Sequence, residues 1–448
     1  MTKVLEKWFK LRENGTTTRR EIASGMTTFM AMSYIIFVQP TVLSACGMDF
    51  GAVMIATCIS SAVATILMAF LANYPIALAP AMGHNFYFAF TVCGAVAARG
   101  LGYPWEVALG AVFISGVLFI LLSFVGFRVK IIDAVPSTLK SAIAVGIGLL
   151  IALIGLQWSG VVVDNPGTLI GLGDLSSRPV ILSITGLTII ALLLALRVPG
   201  AILLGIIATA LIGLPFGIVK YYGLVSKPPS ILPTFLKLDV LGVFRQADFL
   251  SVIFVFFFLD LFDTIGTLIG VSEQAGFLKK GKLPRAKNAL LSDAIGTVSG
   301  AALGTSTVTS YIESAAGVSV GGRTGFSNLV TAFLLLISVF FFPLVRMVGG
   351  GYQTPQGAVL YPVIAPALII VGSYMMRVVK KIAWEDVTEA IPAFLTMIVM
   401  PLTFSITEGI AFGFISYAFV KLVSGRGKEV HWIIYLFAVL FILRYIYL

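Results

Sequence analysis

Apolar blocks long enough to cross a bilayer recur along this chain with little between them, and that pattern decides the fold class before any motif is read. A helical span needs about 20 apolar residues. Such blocks stand at 21–43, 52–72, 76–94, 104–126, 138–158, 180–196 and 198–219. They resume at 248–276, 288–303, 305–319, 325–347, 357–376, 388–404 and 406–424. The longest polar interruption, 220–247, carries Lys220, Lys227, Pro228, Pro229, Pro233 and Lys237 and reads as a linker. Only 11% of the 448 residues are charged, against about 25% in soluble domains. A water-soluble globular protein is therefore excluded, and no segment is left for a separate soluble domain. The expectation is an all-α polytopic membrane protein of about 14 spans.

The blocks divide the chain into five parts: a cytoplasmic N-terminal segment at 1–20, a seven-span repeat at 21–219, an extracytoplasmic linker at 220–247, a second seven-span repeat at 248–424, and an apolar tail at 425–448. Seven is odd, so halves that share a fold enter the membrane in opposite senses, as two inverted repeats. Most of the 30 basic residues fall on segments that this layout places inside, including Lys279, Lys280, Lys282, Arg285 and Lys287, in keeping with the positive-inside rule. The net charge of +10 is thus an orientation signal and does not call for nucleic acid. It predicts a multi-pass protein of the cytoplasmic (inner) cell membrane with its N-terminus in the cytoplasm. The tail, at 432–448, is short for a span and is read either as a further helix or as an interfacial one.

The third block of each half is abnormal. PIALAPAMGHNFYFAF and LGTSTVTSYIESAAGV are interrupted by Pro, Gly and hydroxyl residues where a continuous helix should run. Irregular backbone survives at membrane depth only where it lines a cavity, and matching interruptions in two repeats point to a transporter binding site. Short extended segments in spans 3 and 10, each followed by a half-helix, are expected. Pro80 disfavours a helical Ala79, and Thr305, Thr307, Val308 and Thr309 favour strand.

Few carboxylates lie inside apolar blocks, and each needs a cavity or a partner, because an acid at a helix centre costs about 2.5–3.5 kcal/mol. Asp263 in FLDLFDTIGTLIG is the deepest, with Gly266 and Gly270 smoothing the same face. Asp260, one turn earlier, is either structural or a proton relay. Glu273 reads as a surface residue near the basic loop. Glu313 begins the second half-helix beside Ser314 and is either a ligand acceptor or a cap of its own helix. Its counterpart in the first half is Asn85, whose amide offers donor and acceptor together. His84 adjoins it and is either a proton-coupling residue or a packing one. Phe86 and Tyr87 could stack on a planar ligand or serve packing.

Taken together, TTFMAMSYIIFVQP, APAMGHNFYF, FDTIGT and GTSTVTSYIESAAGV resemble the nucleobase:cation symporter-2 (nucleobase/ascorbate transporter) superfamily, and within it the AzgA-like adenine/guanine/hypoxanthine permease branch. The resemblance implies that spans 1 to 4 and 8 to 11 form a core domain and the other spans a gate domain. It implies a purine held by Asp263 and Glu313 with Asn85 close by, and Asp293 in LLSDAIGT fixing the core. Ala81 and His84 stand where many members have Gly and Leu. The expected substrate-binding set is Asn85, Asp263, Glu313, His84, Phe86 and Ser314, and the proton-coupling or core set is Asp263, Asp293 and Asp260.

The expected activity is secondary active import of a purine nucleobase (guanine, hypoxanthine, adenine or xanthine) by proton symport. The partners are then the base, protons and the lipid bilayer, and a homodimer pairing through the gate is compatible with this layout. An anion (sulfate or bicarbonate) or pyrimidine carrier of the same architecture is the alternative, disfavoured for anions because Asp263 and Glu313 would repel them. No metal-ligand set, phosphate-binding loop or nucleophile elbow occurs, and no cofactor or enzymatic activity is expected. Cys46, Cys58 and Cys93 form no C-x-x-C pair and read as small apolar residues.

Overall fold

A computed structural model describes residues 2–95, 100–125, 135–277, 283–355 and 357–447, excepting the side chains of 2–5, 124–125 and 447. Lys279, Lys280 and Lys282 of the basic loop lie outside the described residues. The first half runs α1 (Thr2–Phe9), α2 (Thr18–Met32), α3 (Ile35–Ser44), α4 (Phe50–Leu67), β1 (Leu78–Pro80), α5 (Met82–Phe86), α6 (Trp105–Val125), α7 (Ser137–Trp158), β2 (Val162–Asn165), β3 (Leu169–Leu172), α8 (Arg178–Ala195) and α9 (Ala201–Gly213). After the short α10 (Val240–Val243) come α11 (Phe249–Gln274), α12 (Ala286–Leu303), β4 (Val308–Ser310), α13 (Ser314–Ser319), α14 (Phe326–Ser338) and α15 (Phe342–Gly349). The chain closes with β5 (Tyr352–Gln353), β6 (Val359–Leu360), α16 (Ala365–Met375), α17 (Val387–Thr403), α18 (Ile406–Val423) and α19 (Trp432–Tyr447).

Among the described residues, 8 helical stretches are long and apolar enough to cross a membrane, and α9, α17 and Trp432–Ile446 are shorter apolar helices. The protein is therefore a helical, polytopic, integral membrane protein. The first stretch, Thr18–Ser44, is continuous in length but tightens at Ser33 and Tyr34, between α2 and α3. The expected span at 357–376 is mostly preceded by ribbon: β5 and β6 pair antiparallel, and the helix proper, α16, has 11 residues.

The two interrupted blocks meet at the centre. β1 and β4 pair antiparallel, with Leu78 opposite Ser310, Ala79 opposite Thr309 and Pro80 opposite Val308. All six residues are buried. Backbone polar groups away from water must be paired, and the flanks extend the ladder accordingly: Ala81 N donates to Thr307 O (2.9 Å) and Tyr311 N to Ala77 O (2.9 Å). Thr65 Oγ1 accepts from Leu78 N (2.9 Å), and Ser314 Oγ from Ala77 N (3.0 Å). Pro80 lacks an N–H, which an edge of so short a ribbon tolerates.

Two expectations are corrected here. Thr305 and Thr307 lie outside the strand, which contains only Val308, Thr309 and Ser310 of that segment. Each extended segment is followed by a helix: α5 continues through a π-helical turn at Tyr87–Val92, whereas α13 has 6 residues. Two further ribbons, β2–β3 and β5–β6, lie outside the interrupted spans, so the chain is not purely helical beyond them. Asn165, Pro166 and Gly167 carry the turn chemistry of the first, with Gly167 N donating to Asn165 Oδ1 (2.9 Å).

Helix contacts sort the bundle into two packed groups. In one, α2 packs on α13 and α14, α4 on α3, α12 and α14, and α6 on α11 and α12. In the other, α7 packs on α16 and α17, α17 on α18, and α8 on α9 and α16. Close approach needs small residues in a membrane, where packing rather than hydrophobicity joins helices: a Cβ at Gly148 of α7 would lie 2.7 Å from Met375 Cβ and 2.8 Å from Gly372 O.

The 220–247 linker is laid along the first group rather than hanging free. Ser226 N donates to Phe340 O (2.9 Å), Leu236 N to Ala302 O (2.8 Å) and Asp239 N to Glu106 O (2.8 Å). The tail forms a packed helix, α19, on α18. Phe437 lies 4.3 Å from Phe254 and 5.9 Å from Phe414 between ring centroids, and Arg444 Nη1 bonds Glu408 Oε1 (2.9 Å). Contacts at both ends of α18 make α19 antiparallel to it, since Lys421 meets Glu429 (3.2 Å) at the other end.

Candidate functional site

The β1–β4 ribbon brings the ends of both interrupted segments together with the middle of α11 and with the turn between α2 and α3. Glu313 occupies the N-cap position of α13, yet its side chain caps nothing there. Oε1 instead accepts a hydrogen bond from the Tyr34 hydroxyl at 2.7 Å. Asp263 Oδ2 accepts from Thr309 Oγ1 at 3.3 Å, so the strand between the two half-helices also tethers the α11 carboxylate.

Asp263 retains accessible surface although it sits in mid-helix, and Glu313 is half-buried. An acid with accessible surface at that depth needs a cavity or a partner rather than lipid. A Cβ added at Gly266 would meet no atom within 4 Å, and one at Gly270 only Ile312 Cδ1 at 3.6 Å. The face of α11 bearing Asp263, Gly266 and Gly270 thus borders open space that leads toward the exposed Glu273 and Gln274 at the end of the helix. Glu273 lies on the surface.

Asn85 is fully buried on α5. Its Oδ1 accepts from Ser306 Oγ, while Nδ2 has no hydrogen-bond partner among the described residues. Ser306 is held in turn by Gln39 of α3, whose Nε2 donates to Ser306 Oγ (3.2 Å) and Thr305 Oγ1 (2.8 Å). An unpaired buried amide costs about 1–3 kcal/mol, a penalty that a ligand acceptor at Nδ2 would relieve.

The remaining carboxylates hold the frame. Asp293 Oδ1 accepts from Ser310 N (3.0 Å) and Ser310 Oγ (3.4 Å), pinning the end of β4 to α12. Asp260 is buried, with Oδ1 accepting from Thr264 (3.3 Å) and Oδ2 from Thr297 (3.4 Å), so it joins α11 to α12. His84 is buried at 1% exposure, with the Phe256 backbone as its polar neighbour. Phe86 stacks on Phe90 (5.9 Å) and meets Trp158 edge-on (6.5 Å), and Tyr87 packs against Phe256 (4.9 Å). Ser314, already bonded to Ala77 N, secures the ribbon.

Of the expected residues, Asp263 and Asp293 bond β4 directly, through Thr309 and Ser310, Glu313 follows that strand and is bonded to Tyr34, and Asn85 is bonded to Ser306 just before it, while Asp260 joins α11 to α12. Sequence reading passed over Tyr34, Gln39 and Ser306 and took Thr309 only as a strand residue. The signal for the first two was present: they are polar residues within the apolar block TTFMAMSYIIFVQP. Among the described residues no His/Cys/Asp/Glu group is arranged to hold a metal ion.

Comparisons with known proteins give the family and the fold. The adenine permease AdeP of Escherichia coli is 44% identical, covering 99% of this chain and 96% of the relative. The guanine/hypoxanthine permease PbuG of Bacillus subtilis is 45% identical, covering 99% of this chain and 100% of the relative. The transmembrane domain of a cyanobacterial bicarbonate transporter, BicA, shares the fold with a TM-score of 0.62 at 16% identity, over 88% of this chain and 96% of that one. Residues 19–412 match the Permease family (Xan_ur_permease), and the chain belongs to that family, the nucleobase:cation symporter-2 transporters.

Proposed function

We propose that this protein imports a purine nucleobase across the cell membrane by proton symport. The observation that supports the reading is that two carboxylates, Glu313 and Asp263, border β4, and that Asn85, with its Nδ2 unpaired, is joined to the same interrupted segment through Ser306. A neutral heteroaromatic ring with N–H donors and ring acceptors matches that mixture. Glu313 accepts a ring N–H, Asn85 Nδ2 donates to a ring nitrogen or exocyclic oxygen, and Asp263 takes up the coupled proton. A proton entering with the base removes a charge that is costly in a poorly solvated cleft. An anion carrier of the same fold is less consistent with the site, because two carboxylates oppose an anion.

In this reading the chain has 14 spans in two inverted repeats, 21–219 and 248–424, with a core built around the β1–β4 ribbon and a gate built around α7, α16, α17 and α18. The N-terminus is cytoplasmic, so the cleft beside Gly266 and Gly270 opens inward, and two copies pair through the gate. His84, Phe86 and Ser314 act one layer behind the ligand, holding the half-helices in place. Asp293 and Asp260 set the positions of β4 and α11.

Uptake of labelled adenine, guanine, hypoxanthine, xanthine and uracil, in cells lacking their own permeases and with or without a protonophore, tests the proposal. At least one purine is expected to accumulate and to stop doing so when the proton gradient collapses. Glu313→Gln should abolish binding, and Asp263→Asn should spare binding while removing proton dependence. Uptake of no purine would refute the substrate class, and proton-driven uptake by both variants would refute the site.

A further inference from the structure

Glu313 does not stand alone at the head of α13. The Tyr34 hydroxyl, from a ring only 1% exposed, donates to its Oε1 at 2.7 Å. The other donor beside the carboxylate is its own backbone N–H. Tyr34 itself is held. It sits where α2 gives way to α3, its ring packs 6.4 Å from that of Tyr311, and the Tyr311 hydroxyl bonds Pro80 O across the ribbon at 2.5 Å. The phenol takes one lone pair of Oε1 and restrains the rotation of the carboxylate, so the orientation offered to a ligand is set by Tyr34.

We propose that Tyr34 is a specificity-determining positioning residue: by holding Glu313 Oε1 it fixes the plane of the carboxylate and aims Oε2 at the ligand, so the site favours a single ring N–H over two adjacent ones. This rests on Glu313 being the nucleobase acceptor. The chemistry separates two purines. Hypoxanthine offers N1–H beside a C2–H, which needs one acceptor. Guanine offers N1–H beside the 2-amino group, a pair that a free carboxylate grips with both oxygens. Removing the phenol hydroxyl lets the carboxylate turn, so hypoxanthine loses a well-aimed acceptor while guanine can draw both oxygens onto its paired donors.

The test is the concentration dependence of hypoxanthine and guanine uptake for the parent, Tyr34→Phe and Glu313→Gln, with membrane abundance measured for each. Tyr34→Phe keeps the ring and its contact with Tyr311. It should raise the KM for hypoxanthine about tenfold, the scale of one hydrogen bond to a charged group, with less change or a fall for guanine and with maximal uptake per carrier retained. The guanine to hypoxanthine preference therefore shifts about tenfold toward guanine. If Tyr34→Phe does not reach the membrane, Tyr34→Leu, which also lacks a donor, must give the same shift. An unchanged ratio in a variant that reaches the membrane, or an equal rise in KM for both bases, overturns the inference. The two failures are distinguishable: if Glu313→Gln abolishes uptake while the Tyr34 variants keep the parental ratio, only the role of Tyr34 falls. If Glu313→Gln transports normally, the site itself falls.

Discussion

The cleft beside α11 makes opposite forecasts for two glycines that the sequence alone would treat alike. At Gly266 an added Cβ meets nothing within 4 Å, whereas at Gly317 it would run into Thr28 Oγ1 and lie 2.7 Å from Ser24 O and 2.8 Å from Ser24 Oγ. Alanine is a better helix former than glycine by about 0.5–1 kcal/mol, so Gly266→Ala should stabilise the fold by about that much. Gly317→Ala has the same backbone preference but must push α13 away from α2, and overpacking of this kind costs about 1–3 kcal/mol. The two variants should therefore differ by roughly 1–3 kcal/mol, with Gly317→Ala the less stable, in denaturant unfolding of the purified protein in detergent. A third variant carries the forecast to function. Gly266→Trp has room to fold, since the side chain enters the cleft, but it should block uptake because that cleft is the proposed path. Loss of stability in Gly266→Ala equal to that in Gly317→Ala would show that the space is filled. Parental uptake by a well-expressed Gly266→Trp would show that nothing passes there.

Lys421 is 1% exposed and sits among Glu389 (2.9 Å), Glu429 (3.2 Å) and Asp386 (3.9 Å); Lys421→Met should cost about 3–5 kcal/mol by leaving Glu389 uncompensated, and Glu389→Gln added to it should restore most of the loss in the same unfolding assay. Hydrogen bonds from Thr388 and Arg426 hold Asp386 well below the usual carboxylate range, and Arg426 also lowers Glu429. Folded values below unfolded ones mean that this stabilisation is complete above the ordinary carboxylate pKa, about 4, and is lost as pH falls through the depressed values. Arg426→Gln should accordingly lower the thermal midpoint at pH 7 and pH 5, with the gap to the parent closing as the medium is acidified below about pH 4; a gap independent of pH would assign Arg426 a packing role instead.

Two acids near chain features that looked alike in sequence show why only part of the site could be read. Asp263 was conspicuous because a carboxylate in FLDLFDTIGTLIG has no apolar excuse. Glu21, by contrast, follows the basic Arg19 and Arg20 and carries no such signal, yet it is fully buried, with Oε1 accepting from Arg323 N (2.8 Å) and Oε2 from Ser327 N (3.1 Å). Its partners are about 300 positions away, and no local pattern announces them. Gln39 is the same case inside the site: its polarity was visible, but the Ser306 and Asn85 it aligns belong to the other interrupted segments.

What the sequence determined by itself follows from local rules. Block length and apolarity required membrane helices, the scarcity of charge excluded a soluble fold, and Pro, Gly and hydroxyl residues in PIALAPAMGHNFYFAF and LGTSTVTSYIESAAGV required broken spans, because each of these is set by neighbours along the chain. Tertiary structure alone decided which broken ends touch, in what register, and which side chains are left with unmet valences. The antiparallel pairing of Leu78–Pro80 with Val308–Ser310 joins residues some 230 positions apart, and that closure places Glu313 beside Tyr34 and Asp263 beside Thr309. A hydrogen bond depends on position to within a few tenths of an ångström, and only the packing of the whole bundle fixes positions that finely.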